Sequence, residues 1–193
     1  MADRLRRRAD KPELQPGLRQ LARKTRQLAE DLESTIWTVN PRNNSLDRLV
    51  LFTRQYSQRF FRDSAIECAV LGVEEIPARR ITPEVQHHLL SATKEALNNV
   101  LKHSQAGSVA VEFRLSQEIF TTVIRDDGVG FNPEASENKE RNGLSNMRSR
   151  LREIGGILDI RSSPGLGAEI SWRVPLAAAL VLDGRPSPVL SHS

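Results

Sequence analysis

A two-layer α/β sandwich with a long helix ahead of it is the fold class this sequence predicts, and three observations predict it. Runs whose apolar residues recur by threes and fours alternate with runs whose apolar residues recur by twos. The period-two runs are mostly joined by short polar or glycine-bearing turns, as hairpins are. A seam of heptad spacing precedes them all. Helices alternating with hairpin-joined strands bury their apolar faces most simply as a sheet packed against a helical layer.

The seam comes first. Apolar or small residues fall at Leu18, Leu21, Thr25, Leu28, Leu32, Thr35 and Val39, and the pattern stops at Asn40-Pro41, where proline prevents simple continuation. Such a seam meets another helix, so residues 18–39 are expected to dimerise the chain. After "NPRNN", Ser45 is placed to cap a helix carrying Leu46, Leu49, Val50, Tyr56 and Phe60. The period then changes, and Ile66, Cys68 and Val70 alternate as a strand, with Cys68 expected in the core. "TPEVQHHLL" opens the next helix with Thr82 as N-cap, Pro83 at the first helical position and Glu84 in the first turn. That helix should run to about His103.

Two further strands are expected, one on Val109, Val111, Phe113 and Leu115 and one on Ile119, Thr121 and Val123. The second leads into "IRDDGVGF". Residues 132–142 are polar and aperiodic, a loop by composition. "NGLSNMRSRLREIGG" is a helix with Leu144, Met147, Leu151 and Ile154 inward and a stop at Gly155-Gly156. A hairpin of "ILDIRSS" and "AEISWRVPL", joined through "PGLG", completes the domain. The expected division is a partial helical segment at 1–44, a domain at 45–176 and a disordered tail at 177–193.

Composition narrows the classes. The chain has 193 residues, 38% hydrophobic and 27% charged, with a net charge of +4. Much of the basic excess lies in the first 26 residues, at Arg4, Arg6, Arg7, Arg8, Arg19, Arg23, Lys24 and Arg26, with no aromatic among them to stack on bases. No direct nucleic-acid contact is expected. A single cysteine excludes a disulfide within the chain and fits a cytoplasmic setting. The apolar run "LAAALVL" is too short to span a bilayer, and neither a membrane span nor a signal peptide is expected.

Residues 94–104, "KEALNNVLKHS", raise the functional question. On a helical wheel Ala96, Leu97, Val100 and Leu101 form one face, while Glu95, Asn99 and His103 line up on another. A polar stripe is usually a solvated ridge. Its company suggests more. Downstream come a strand ending in Asp126 with Gly128 and Gly130, a polar loop, a helix opening at Gly143, and a hairpin with Gly165 and Gly167. Each piece is weak alone, but in this order they would converge as one nucleotide pocket.

On these residues the chain resembles the GHKL ATPases, whose members include sensor histidine kinases and the ATPase domains of type II topoisomerases. Four boxes carry the resemblance over Thr82 to Leu176: "KEALNNVLKH", "DDGVGF", "NGLSNM" and "SSPGLGAEI". "IWTVNPRNNSLDRL" resembles one branch of the two-component sensor kinases in particular, the one that pairs with DNA-binding response regulators. The resemblance implies the Bergerat fold, ATP and Mg2+ as ligands, and phosphoryl transfer to histidine. It makes the heptad helix part of a dimerisation hairpin.

The implied roles suit the residue types. Asn99 offers one amide oxygen to a magnesium ion that keeps water and phosphate as its other ligands. Glu95, one turn earlier, can orient or deprotonate a hydroxyl near that metal and is the candidate catalytic residue. Asp126 can accept from an adenine amino group, while Gly128 and Gly130 allow backbone to approach base and sugar. Gly143 and Leu144 open a helix whose free N–H groups can hold polyphosphate, with Gly165 and Gly167 closing the pocket. Lys102 and His103 are further binding candidates, although a hydrogen-bonded structural role fits His103 equally. Lys139 and Arg141 could add charge beside Lys102, all three ranking second, and Asn98 is about 100° from Asn99 on the wheel.

The pattern departs from the family at two points. Ala168 stands where relatives usually have threonine. No histidine precedes His87, so the phosphoacceptor histidine must come from a partner or an upstream segment. A late start site, a truncation and a split kinase all fit this. Two other functions stay open: a non-catalytic nucleotide-binding dimerisation module, and a serine kinase of the anti-sigma-factor type.

Overall fold

The computed structural model describes residues 25, 32, 34–38, 40–72, 74–133 and 143–176. The expected tail from 177, Lys139, Arg141 and most of the heptad helix lie outside the described residues. The chain forms two compact units, one through Pro41 and one from Arg42. In the first, residues 34–38 are helical, Thr38 donates its hydroxyl to the Ser34 carbonyl at 2.7 Å, and the seam residues Leu32 and Thr35 are exposed.

In the second unit, helix α1 spans Leu46–Phe61 and buries Leu46, Leu49, Val50 and Tyr56 as expected, together with Phe52 and Phe61, while Phe60 is only half-buried. Ser45 occupies the N-cap position with extended backbone but makes no capping bond through its side chain. The Leu46 N–H, one of the helix's first donors without an intrahelical partner, donates to the Arg79 carbonyl at 2.7 Å. Thr82 does cap helix α2, Pro83–Asn99: its hydroxyl oxygen accepts from the Val85 N–H at 3.2 Å, and Pro83 sits at the first helical position. Thr82→Ala should cost about 1 kcal/mol, read as a lower urea midpoint at unchanged slope.

After Asn99 the chain widens into a π turn, Val100–Ser104, which ends at Gln105 in the left-handed region at φ 53°. The extra residue per turn rotates the next side chains away from their α-helical directions. Val85, Leu89, Ala92, Ala96, Leu97 and Val100 are buried, but Leu101, expected beside them, is 42% exposed. The helix reaches His103 as expected, but its last turn is not α-helical.

Five strands occupy the expected positions: β1 Glu67–Leu71, β2 Ser108–Ser116, β3 Ile119–Asp126, β4 Ile157–Ser162 and β5 Ala168–Pro175. The sheet order is β1-β2-β3-β5-β4, with β1 parallel to β2 and every other pair antiparallel. Val109, Val111 and Phe113 on β2 face inward with Phe120, Thr122, Ile124 and Asp126 on β3 and with Ala168, Ile170, Trp172 and Val174 on β5. On β3 the fully inward set is therefore the complement of Ile119, Thr121 and Val123, and Ile119 is 39% exposed. Phe120 stacks on Phe113 at 6.1 Å between ring centroids. Cys68, expected in the core, is only half-buried on the outer strand, though burial pushes its thiol up to about 11.

Helix α3, Gly143–Glu153, packs against α2 and buries Met147 and Leu151, with Ile154 buried just beyond its end. His88 Nε2 lies 3.4 Å from Glu153 Oε2, joining the start of α2 to the end of α3. Gly155 at φ 72° ends the helix, and the Gly156 N–H returns to the Leu151 carbonyl at 2.7 Å. Sheet below and helices above make the expected two-layer α/β sandwich.

Candidate nucleotide site

Strand register places Asp126. Cys68, Val109, Asp126, Ala168 and Ser162 are successive partners across the sheet, so they form one rung with side chains on the helix-bearing face. A carboxylate at the end of the central strand is thereby set into the sheet's buried side. Burial pushes the Asp126 carboxyl above the usual carboxylate range, opposed by N–H donors from Gly128, at 3.0 Å, and Ala168. It is a partly satisfied acceptor in a poorly solvated place, suited to a ligand N–H donor.

The turn after Asp126 is held on two sides by main chain. On one side, the Val129 N–H donates to the Ser104 carbonyl at 2.7 Å, and a Cβ on Gly128 would overlap that same carbonyl. On the other side, the Gly165 N–H donates to the Val129 carbonyl at 2.6 Å. A Cβ on Gly130 would overlap the Ser163 carbonyl, and one on Gly167 would overlap the Asp126 carbonyl. In this structure protein backbone comes close to Gly128 and Gly130, the two glycines expected to admit base and sugar, and to Gly167. These glycines therefore serve the approach of one turn to another before any ligand arrives.

Of the other predicted residues, Glu95 and Gly143 are brought together. Glu95 on α2 reaches the start of α3, where its carboxylate occupies the space a Gly143 side chain would fill. Asn99 is one turn farther along α2 and half-buried, as is Leu144 on α3. Lys102 and His103 sit on the π turn and are exposed. The π turn also takes His103 off the ideal stripe through Glu95 and Asn99. Gly165, at φ 82°, has open space around it.

Three structural contributors are absent from the residues the sequence singles out. Ser104 donates to the Val100 carbonyl at 2.7 Å and accepts from the Ala106 N–H at 3.0 Å, ending the π turn that supports Gly128. A serine whose oxygen can bond two residues ahead, directly before a break in helical pattern, is a local signal for this. Asp127 accepts from Ser108 N–H at 2.8 Å, Ser108 Oγ at 2.8 Å and Gly107 N–H at 2.9 Å, and these donors hold its carboxyl below the usual range. Ser162 Oγ accepts from the Phe131 N–H at 2.9 Å and donates to the Gly167 carbonyl at 2.8 Å. No local pattern announces those last bonds.

A family model described as "Histidine kinase-, DNA gyrase B-, and HSP90-like ATPase" matches residues 84–178, which span α2, both glycine turns and the hairpin. This domain belongs to that family. A sensor-like histidine kinase of Chloroflexus aurantiacus is 29% identical over 151 residues, covering 76% of this chain and 25% of that protein. The sensor protein VraS of Staphylococcus aureus is 37% identical over 105 residues, 54% of this chain and 30% of VraS. The chain thus spans about a quarter to a third of the length of these relatives. The histidine kinase domain of the Erythrobacter litoralis EL346 blue-light activated kinase shares the ATPase domain's fold, with a TM-score of 0.56 at 20% identity over 68% of this chain and 66% of that one. The Acinetobacter baumannii histidine kinase AdeS also has a TM-score of 0.56, at 12% identity, covering 82% of this chain and 83% of that one. An ATPase domain of this family implies ATP as the ligand of the pocket. No helix among the described residues is long and apolar enough to cross a membrane.

Proposed function

We propose that this ATPase domain transfers the γ-phosphate of ATP to a histidine carried on a separate segment or partner, as the catalytic part of a two-component sensor kinase. The observation that carries the reading is the seating of the first and third glycine turns on each other around Asp126. It leaves one half-satisfied buried carboxylate where an adenine amino group can donate. Asp126 would then read the base, and the N–H groups at the start of α3 would meet the phosphates.

Among the described residues no three His, Cys, Asp or Glu side chains come together as a metal cluster. A magnesium ion fits this donor set through Asn99 Oδ1, with water and substrate phosphates as its remaining ligands, and would neutralise phosphate charge. Glu95 would orient the acceptor histidine, and Lys102 and His103 are candidates for outer contacts to the phosphates. Phosphoryl transfer asks mainly for positioning and charge neutralisation, so no covalent group is needed from this domain. The protein is proposed to work in the cytoplasm as a homodimer through residues 18–39, with a response regulator of DNA-binding output as its downstream partner.

The test supplies a histidine-bearing helical hairpin separately, with the native chain and γ-labelled Mg-ATP. Label on the hairpin that acid removes and base does not is the expected result. An acid-stable product on serine would replace this reading with a serine kinase. No transfer, together with no rise in melting temperature at saturating Mg-ADP, would sink the kinase reading altogether. Ligand at about a hundred times its Kd should stabilise the chain by roughly 2.7 kcal/mol, a rise of several degrees. That rise without transfer would instead favour a nucleotide-binding regulatory module.

A further inference from the structure

Ser162 ends β4 opposite Ala168, which is itself opposite Asp126, so the serine hydroxyl and the carboxylate stand on one rung and one face. Between them is only an alanine methyl. The hydroxyl uses both of its capacities: it accepts the Phe131 N–H, just after the first glycine turn, and donates to the carbonyl of Gly167, in the third. Gly167 in turn lies directly against the Asp126 carbonyl, closer than any side chain would allow.

The path from Ser162 therefore closes on itself. Through Phe131 it grips the far end of the turn that begins at Asp126, and through Gly167 it presses on the Asp126 backbone. Two main-chain bonds, Val129 to Ser104 and Gly165 to Val129, hold the middle of the same turn. They leave its exit at Phe131 to the serine.

On the reading of the site as an adenine-nucleotide pocket, we infer that Ser162 is a positioning residue that sets the Asp126 carboxylate for recognition of the adenine amino group. It touches no ligand in this role. Its effect should therefore appear in base discrimination more than in overall nucleotide affinity.

The experiment compares Mg-ADP with Mg-IDP, whose base has a carbonyl oxygen in place of the amino group, by calorimetric titration of the full chain. Native protein, Ser162→Ala and Ser162→Thr are measured. The native chain is expected to prefer ADP. Ser162→Ala should weaken ADP binding about tenfold while changing IDP binding little, and Ser162→Thr, which keeps the hydroxyl, should restore the preference. Parallel loss for both nucleotides, or an unchanged ratio in the alanine variant, overturns the inference and leaves the pocket standing. A native chain that binds neither nucleotide overturns the pocket and this inference with it.

Discussion

Asp126→Asn is expected to weaken Mg-ADP binding by roughly tenfold to a hundredfold while leaving the nucleotide-free domain melting no lower than the native one. The two halves have one cause. The carboxylate is buried on the sheet's inner face, and burial raises its pKa. A charge-assisted hydrogen bond to an adenine amino group made in such a place contributes more than a neutral one, about 1.5–3 kcal/mol. Asparagine keeps one uncharged acceptor oxygen, bonded to the Gly128 N–H, and puts an amide that can only donate where the second carboxylate oxygen stood.

The same burial costs the empty domain stability. A carboxyl whose folded pKa lies above its unfolded value contributes stability below the unfolded value, and that contribution is lost as pH rises through the folded one. The native domain should therefore lose ground against Asp126→Asn as pH is raised from about 4 toward neutrality. Thermal melting of both proteins across that range, with and without Mg-ADP, checks the affinity loss and the pH trend together. If the asparagine variant lost ground to the native chain as pH rose, burial of Asp126 would not be a cost. If it kept the native nucleotide response, Asp126 would not be the base-reading group.

Alanine substitution along the glycine turns should give a graded series, because three glycines differ in what they accommodate. Gly165 has φ 82° but nothing within 4 Å of where a side chain's Cβ would stand, so alanine there meets only backbone strain, about 1 kcal/mol. Gly128 has no left-handed backbone, but its Cβ would overlap the Ser104 carbonyl. Main chain cannot rotate away as a side-chain tip can. Gly167 combines φ 71° with overlap of the Asp126 carbonyl. The expected order of destabilisation is Gly165→Ala, then Gly128→Ala, then Gly167→Ala, the last at roughly 2–4 kcal/mol or about 10 °C in melting temperature. The Mg-ADP response should survive in the first and be lost in the other two. Equal effects at Gly165 and Gly167 would mean that the two turns do not bear on each other.

The elements were legible in the sequence because each is a local pattern. Thr82-Pro83 marks a helix start by chemistry that acts within one turn, and Val109, Val111 and Phe113 mark a strand face by alternation. Asp126 and the glycines of the site were legible as residue types in an ordered series. The reason for the glycines was not, because Gly128 answers to Ser104 and Gly167 to Asp126, which are 24 and 41 positions away in the chain. Alternation points to the wrong inner face of β3 because hydrophobicity is distributed on both sides of that strand, Val123 and Ile124 both being buried. Nor does hydropathy reveal a π turn. Leu101 continues the apolar pattern of α2 perfectly well, and only the widened turn carries it outward. Ser162 escapes notice for the same reason as the glycine contacts: its bonds exist only once the hairpin is paired in register.

Because the two glycine turns are fastened chiefly by carbonyls and amides, the side chains they display are released from holding the fold. Leu166 is 82% exposed and Val129 45% exposed, each donating a main-chain bond that any residue type except proline could make. Mutations at these two positions are therefore nearly invisible to folding but not to whatever meets the rim of the site. Over generations such places can wander freely, and descendants of one ancestral pocket can acquire different tastes in ligand or partner without first surviving an unstable intermediate.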